Sequence, residues 1–235
     1  TPHPIWFLLK NQDFIVFSED LKNKILKRKI APQTISVFPF ILDEKFGKPA
    51  SSDEINKIKT NLGFEENRKI ILIIGGADGL VKADQIIKKM LQKMNQHYIV
   101  IVCGKNEELY NKAEKIKKQT SYKFLKVYRL IDFVSDMLNI SDVIITKCGA
   151  STFMEILLSK KVPVVINYLW EQEKGNMEYL RNNGLGVYET NINKISEVVC
   201  RLISDEKYYA EFLTRITNQK LRNGTKEVSE YIYNF

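Results

Sequence analysis

Fully apolar runs, each followed by a stretch with helical spacing, dominate the chain from residue 70 onward. Residues 70–74 and 98–103 are apolar at successive positions, and residues 162–167 are nearly so. Strands with two apolar faces are typical of a parallel sheet that helices cover on both sides. Further strands are predicted at 124–127, 142–146 and 185–188, with helices between them. We therefore predict an α/β fold built on a doubly wound parallel sheet, which binds ligands at the carboxyl ends of its strands.

A smaller α/β pattern occupies the first part of the chain. Residues 14–17 and 33–38 are predicted strands, and between them Ser18 caps a helix whose first turn is acidic. Residues 43–61 combine many charges with Gly, Pro and Ser, which is typical of a connector with one short helix. We therefore predict a domain boundary near residue 65. Residues 1–64 then form a smaller α/β unit with its connector, and residues 65–235 form the sheet domain.

The composition narrows the classes of function. Cys103, Cys148 and Cys200 lie about fifty residues apart without a C-x-x-C pair, and His3 and His97 are the two histidines. This content excludes a disulfide framework and a histidine-rich metal centre, and it favours a reducing cytosolic compartment. No D-x-D pair is present to clamp a divalent metal, and no apolar stretch approaches the roughly 20 residues that a membrane span needs. No metal site and no resident cofactor are predicted.

The chain is basic, with 36 Lys and Arg against 28 Asp and Glu and a net charge of +8. Such an excess suits nucleic acid, an anionic membrane surface or an anionic small molecule, and it also arises when a sequence is rich in Lys throughout. The lysines are spread along the chain, and the one local concentration is Lys22, Lys24, Lys27, Arg28 and Lys29. No aromatic-basic repeat accompanies it, so no nucleic acid partner is predicted.

Glycine, hydroxyl and carboxylate side chains follow the predicted strands. The strand at 70–74 ends in G-G-x-x-G, which lets backbone N–H groups approach a phosphate and equally serves as a plain tight turn. Residues 147–155 bring Ser151 and Thr152 to the start of a helix, and Glu155 follows one turn later, where it is suited to bind a ribose diol. The spacing Thr152-x-x-Glu155 also fits a capping box, which is the simpler interpretation from spacing alone.

The loop at 171–176 follows the next strand. Gln172 and Glu173 are suited to a polyhydroxylated ligand, and Asn176 is suited to cap the following helix. A solvated charged loop is the alternative interpretation. Considered together, these strand-end loops fit a sugar nucleotide, because the loops suit its diphosphate and the carboxylates suit its ribose and sugar hydroxyls.

From residue 70 to residue 189 the chain resembles the donor-binding half of GT-B glycosyltransferases. Residues 147–155, K-C-G-A-S-T-F-M-E, are similar to the K-P-G-G-L-T-x-S-E of monogalactosyldiacylglycerol synthases and bacterial diacylglycerol glucosyltransferases. Residues 172–176 are similar to their Q-E-E-G-N, residues 73–79 to their glycine loop and residues 102–106 to their V-C-G-R-N. Residues 3–7, H-P-I-W-F, resemble the H-P-x-W-F that ends a strand of their N-terminal domain. The N-acetylglucosaminyltransferase that makes lipid II is similar more distantly.

The resemblance implies an inverting, metal-independent transfer of a hexose from UDP-glucose or UDP-galactose to a lipid acceptor such as diacylglycerol. It also implies a Rossmann-like donor domain at 65–235, the tail of the acceptor domain at 1–64, and a cytoplasmic protein peripheral to an anionic membrane surface. The implied donor-binding residues are Gly75, Gly76 and Gly79 near the phosphates, Ile131 at the uracil, Ser151 and Thr152 at the diphosphate, Glu155 at the ribose, and Gln172, Glu173 and Asn176 at the transferred sugar.

The chain also departs from the family pattern. The family's G-F-V-x-x-M is R-L-I-D-F-V at 129–134, Cys148 replaces Pro, Ala150 replaces Gly, and Glu171 replaces a Gly beside the sugar-contacting pair. These changes leave base recognition and the identity of the sugar open. We expect an upstream portion that carries the main catalytic base, with His3 as the candidate catalytic residue here. The alternatives are a donor-binding subunit that needs a partner chain and a fold-related UDP-sugar epimerase.

Overall fold

Two parallel sheets organise residues 7–234, the part of the chain that this computed structural model describes. The strands are β1 (Phe14–Val16), β2 (Ile35–Val37), β3 (Ile70–Ile74), β4 (Tyr98–Val102), β5 (Leu125–Tyr128), β6 (Val143–Lys147), β7 (Val162–Asn167) and β8 (Val187–Tyr188). The larger sheet has the order β5-β4-β3-β6-β7-β8, and the smaller sheet pairs β1 with β2. This order is the doubly wound one, with its reversal between β3 and β6. The predicted fold class is confirmed.

Helices connect the strands. They are α1 (Glu19–Leu26), α2 (Ser52–Asn61), α3 (Ala83–Lys93), α4 (Glu107–Gln119), α5 (Val134–Ile140), α6 (Ala150–Leu158), α7 (Lys174–Asn183), α8 (Ile192–Ser204), α9 (Glu206–Asn218) and α10 (Thr225–Tyr233). Helix α5 is not foreseen by the sequence pattern. Five of its seven residues are buried, so it lacks the polar face that would reveal a helical period.

The larger sheet is buried on both faces, as its apolar runs predict. Ile71 and Ile73 of β3 pack into one cluster with α3, α4 and α8. Ile70 and Leu72, which alternate with them, pack into a second cluster with α2 and α5. Phe46 and Phe64, on either side of α2, are buried in this second cluster. The connector therefore covers one face of the sheet, and the domain boundary near residue 65 stays a prediction.

The smaller sheet has a core of its own. Ile25 of α1 is buried with Phe7, Val16, Ile30 and Ile35. Helix α1 begins as predicted, because the Ser18 Oγ accepts a hydrogen bond from the Leu21 N–H at 3.1 Å.

The end of the chain returns to the smaller sheet. The ring of Tyr231 in α10 lies 5.0 Å from that of Phe38, which follows β2. Just before α10, the Asn223 Nδ2 donates to the carbonyl oxygens of Leu42 at 2.9 Å and Asp43 at 3.0 Å, and its Oδ1 accepts from the Leu42 N–H at 3.2 Å. Residues 38–43 and 223–231 are therefore held side by side.

Candidate functional site

The loop after β3 is tightly packed at Gly75 and borders open space at Gly76. A Cβ on Gly75 would lie 2.2 Å from the Gly79 carbonyl oxygen, so a side chain is excluded there. Gly76 has a φ of +78°, and a Cβ there would meet no atom within 4 Å. The main-chain N–H groups of Gly76, Ala77 and Asp78 donate no hydrogen bond to residues 7–234. Unpaired N–H groups in a glycine turn are suited to bind an anion.

Helix α6 begins at the end of β6, which pairs with β3, so its N-terminus lies at the reversal of strand order. The helix starts at Ala150, two residues earlier than predicted, and its N-cap residue Gly149 supplies no side-chain oxygen. The capping box between Thr152 and Glu155 is therefore wrong, because both residues lie inside the helix. No acidic residue of the helix occupies its first turn and no side chain caps it, so its first N–H groups are suited to a ligand. The Glu173 Oε1 lies nearby, 3.5 Å from the position of a Cβ on Gly149.

The carboxylate of Glu155 is uncommitted. It makes no hydrogen bond or ion pair to residues 7–234, although the residue is half-buried. Burial raises the pKa of Glu155 above its ordinary value, the Lys45 ammonium opposes the rise, and the Asp43 carboxylate adds to it. A desolvated acceptor without a partner is suited to receive ligand hydroxyl groups.

The loop after β7 is tied to the end of β6 by Glu173. One carboxylate oxygen lies 3.5 Å from the Lys147 Nζ, and the other accepts from the Leu169 N–H at 2.8 Å. The residue is only 7% exposed. Both carboxylate oxygens of Glu173 are thus engaged inside the protein. Lys147 was not foreseen as a site residue, because its partner lies 26 positions away and no motif spacing joins them.

Asn176 does not have the capping role predicted from spacing. Helix α7 begins at Lys174 with Glu173 at its N-cap position, so Asn176 is not the cap. Its Nδ2 instead donates to the Cys148 carbonyl oxygen at 2.9 Å. Gln172 is exposed on the same loop. Glu171, which replaces a family glycine, keeps the left-handed backbone that glycine favours, with a φ of +66°.

The loop after β5 contains Arg129 and Ile131, which make different contacts. The main chain of Ile131 makes no hydrogen bond to residues 7–234, and its half-buried side chain packs on the cluster around α5. The guanidinium of Arg129 donates to both carboxylate oxygens of Glu107, at 2.9 and 3.1 Å, and lies 3.6 Å from the ring centre of Tyr110. Arg129 therefore joins the loop after β5 to α4.

An apolar groove separates the smaller sheet from α6 and α7. Its volume is about 450 Å³, and Phe17, Leu21, Phe40, Met154 and Leu221 supply apolar lining. The basic residues Lys24, Lys220 and Arg222 also line it, and it extends to Gly175 and Asn176. We call this space the α1–α7 groove.

Three further observations bear on the predictions. His3 falls outside the described residues. Among residues 7–234, no three His, Cys, Asp or Glu side chains are grouped to hold a metal ion, and no helix has the length and apolar content to cross a membrane. Burial raises the pKa values of the Cys103 and Cys148 thiols to about 12, so both remain protonated core residues.

Comparison with known proteins gives a family match that includes the whole larger sheet. Residues 70–228 match the glycosyltransferase family 28 C-terminal domain. The processive diacylglycerol beta-glucosyltransferase of Bacillus subtilis is 27% identical over 98% of this chain and 59% of its own length. The probable chloroplastic monogalactosyldiacylglycerol synthase of Nicotiana tabacum is 23% identical over 86% of this chain and 38% of its own length. The chain thus spans between about two fifths and three fifths of the length of these relatives.

Solved structures show the same fold. The Anabaena protein in complex with UDP and glucose superposes with a TM-score of 0.65 at 14% identity, over 95% of this chain and 63% of that one. A Neisseria meningitidis UDP-GlcNAc 2-epimerase bound to UDP-GlcNAc superposes with a TM-score of 0.68 at 18% identity, over 95% of this chain and 61% of that one. At these identities the likeness is one of fold alone.

Proposed function

The chain belongs to the family that shares the glycosyltransferase family 28 C-terminal domain, and from that premise we propose that it transfers a hexose from a UDP-sugar to a lipid acceptor such as diacylglycerol. In this proposal the described residues supply mainly the donor site. The observation that carries it is the uncapped N-terminus of α6, which lies at the reversal of strand order beside the glycine loop of β3.

The donor-binding roles follow from groups that the fold leaves unpaired. The N–H groups of the glycine loop and of the first turn of α6, with the Ser151 and Thr152 hydroxyls, are suited to the diphosphate. The free carboxylate of Glu155 is suited to the ribose diol, and the main chain of Ile131 to the uracil. Gln172 and Asn176 are proposed to contact the transferred sugar. Because both oxygens of Glu173 are engaged, we propose that Glu173 positions this loop.

The reaction would proceed by inversion. An acceptor hydroxyl attacks the anomeric carbon, the bond from that carbon to the diphosphate oxygen breaks, and UDP departs with the electron pair. The negative charge that develops on the diphosphate is stabilised by N–H donors, hydroxyls and the positive end of α6. The base that removes the proton from the acceptor hydroxyl is proposed to lie outside residues 7–234, with His3 as the candidate within this chain.

The α1–α7 groove supports the proposal of a lipid acceptor. It is lined by apolar side chains suited to hydrocarbon, and it reaches Asn176, beside which the transferred sugar is proposed to lie. The basic side chains of α1 and its C-terminal turn, Lys22 to Lys29, would hold the protein on anionic lipid, at about 1 kcal/mol per basic residue near the surface.

Calorimetric titration with UDP, with ADP as the control nucleotide, tests the donor site. We expect UDP to bind at least about tenfold more tightly than ADP, and Glu155→Gln to weaken UDP binding about tenfold. Glu211→Gln, on the remote helix α9, is the matched control and should bind UDP like the unmodified chain. Equal affinity for UDP and ADP, absence of UDP binding, or unchanged affinity in Glu155→Gln would contradict the proposal.

Sedimentation with vesicles tests the membrane part separately. We expect binding to vesicles that contain anionic phospholipid and little binding to neutral ones, with the difference reduced when Lys22, Lys24 and Lys27 are replaced by Gln. Equal binding to both vesicle types would contradict an electrostatic membrane contact.

The epimerase alternative rests on the fold likeness to the Neisseria enzyme. Incubation with UDP-GlcNAc decides it. Appearance of the 2-epimer without any acceptor would favour the epimerase. Transfer of glucose or galactose to diacylglycerol, by this chain alone or only after a partner chain is added, would favour the transferase.

A further inference from the structure

A second cavity lies at the carboxyl ends of β7 and β8, beside the candidate donor site. Its volume is about 290 Å³, and its walls come from the segment before α3, the two strand ends and the start of α8. Among the residues that the structure describes, those lining it include none from α6 and none from the loop at 172–176. The cavity is therefore separate from the residues assigned to the donor.

The polar groups around this cavity lack partners in the protein. The Asn167 Oδ1 is buried without a hydrogen bond. The hydroxyl groups of Tyr168, Tyr188 and Thr190, which also line the cavity, make no hydrogen bond to residues 7–234. Most buried polar groups of folded proteins are paired. Among these groups the Asn167 Oδ1 is the buried one, while Tyr168 and Tyr188 are half-buried and Thr190 is exposed. The unpaired Asn167 Oδ1 is therefore the group that the needs of folding do not explain.

Aromatic rings form part of the same wall. The rings of Tyr168 and Tyr188 lie 6.1 Å apart, and Trp170 stacks against Tyr168 at 6.1 Å with an interplanar angle of 29°. Trp170 is nevertheless 65% exposed. A large aromatic side chain left in solvent beside a cavity is typical of a binding surface.

We propose that this cavity binds the pyranose ring of a carbohydrate, as a second sugar site apart from the donor. The C–H groups of a pyranose carry partial positive charge and match the negative faces of the Tyr168 and Tyr188 rings that line the cavity. Its hydroxyl groups donate and accept at once, so they can pair with tyrosine and threonine hydroxyls and with the Asn167 amide, which exchanges donor and acceptor by rotation. An aliphatic ligand would leave these groups unpaired.

The source of the pyranose is either a glycolipid head group or a free saccharide, which share this chemistry. Methyl β-D-glucopyranoside is the first probe, detected by saturation-transfer NMR on the whole chain with UDP present in excess. We expect binding to persist under UDP, and Asn167→Leu and Tyr188→Leu each to weaken it about tenfold. Tyr233→Leu, which removes a 90% exposed tyrosine on α10, is the matched control and should leave it unchanged.

The melting temperature and UDP affinity of each variant show whether it has folded. Unchanged glucoside binding in both folded variants would overturn the proposal, as would complete displacement of the glucoside by UDP-glucose. Tighter binding of glucosyldiacylglycerol in bicelles than of the methyl glucoside would assign the site to a lipid head group, and equal affinity would assign it to a free saccharide. The donor-site proposal fails independently, if the chain binds the glucoside but not UDP.

Discussion

The Lys147 Nζ lies 3.5 Å from the Glu173 Oε1, so one ion pair joins the end of β6 to the loop that follows β7. The two side chains are 24% and 10% exposed, so the pair is shielded from solvent. A pair in such a position orders two strand-end loops relative to each other. Its effect is therefore expected on the shape of the site as well as on stability.

Glu173→Gln should lower the free energy of unfolding by about 1–3 kcal/mol, because Lys147 then keeps a half-buried charge without its partner. Denaturant unfolding of Glu173→Gln, Lys147→Met and the double variant measures the coupling energy. The exposed pair Lys174–Glu178 on α7, at 3.9 Å, is the matched control and should couple by about 0.5 kcal/mol or less. Additive effects of the two substitutions at Lys147 and Glu173 would show that the ion pair contributes nothing.

Glu155→Gln should stabilise the fold while it weakens UDP binding. The pKa of Glu155 is raised in the folded state, so its ionised form opposes folding at pH values above the folded pKa. Below the ordinary value of 4.5 the carboxyl is protonated in both states, and the gain from Gln should vanish. Thermal melts at pH 7 and pH 4 measure this difference. A lower melting temperature at pH 7 would instead indicate that Glu155 supports the fold.

Two neighbouring glycines should respond differently to alanine. Gly75→Ala should cost about 3 kcal/mol or more, because the added Cβ meets the Gly79 carbonyl oxygen. Gly76→Ala should cost about 1 kcal/mol, because its Cβ meets open space and only the left-handed backbone is strained. Denaturant unfolding of both variants checks the order. Equal losses would mean that the loop adopts another conformation.

Glu171→Gly should leave the protein more stable than Glu171→Ala by about 1 kcal/mol, because a φ of +66° strains any residue with a Cβ. Both variants remove the Glu171 charge, so the difference between their melting temperatures reports the backbone strain alone. If Ala is as stable as Gly, residue 171 does not hold the left-handed conformation in solution.

Much of the sheet is predictable from sequence because its strands are apolar on both faces. This pattern does not depend on how the individual side chains pack. The first residues of α6 and α7 are not predictable in this way. Ser, Thr and Asn favour helix caps, but they also occur inside these two helices, so they do not mark where each helix begins. At Thr152 and Asn176 those preferences gave the wrong boundary. Only the tertiary structure shows that Gly149 precedes the first helical residue and that the Asn176 amide reaches Cys148.

The cavity at the ends of β7 and β8 also could not be predicted from the sequence pattern. Asn167 and Tyr168 follow one strand, and Tyr188 and Thr190 lie about twenty residues later at the end of the next. Neither segment carries a motif. Their side chains meet because parallel neighbours bring their carboxyl ends to the same edge.

The hydrogen bonds between Asn223 and residues 42 and 43 join two segments that are distant in the sequence. A Cβ on the adjacent Gly224 would lie 2.3 Å from the Pro39 carbonyl oxygen, so the two segments touch there as well. The two segments therefore pack so closely that a side chain at residue 224 would force them apart.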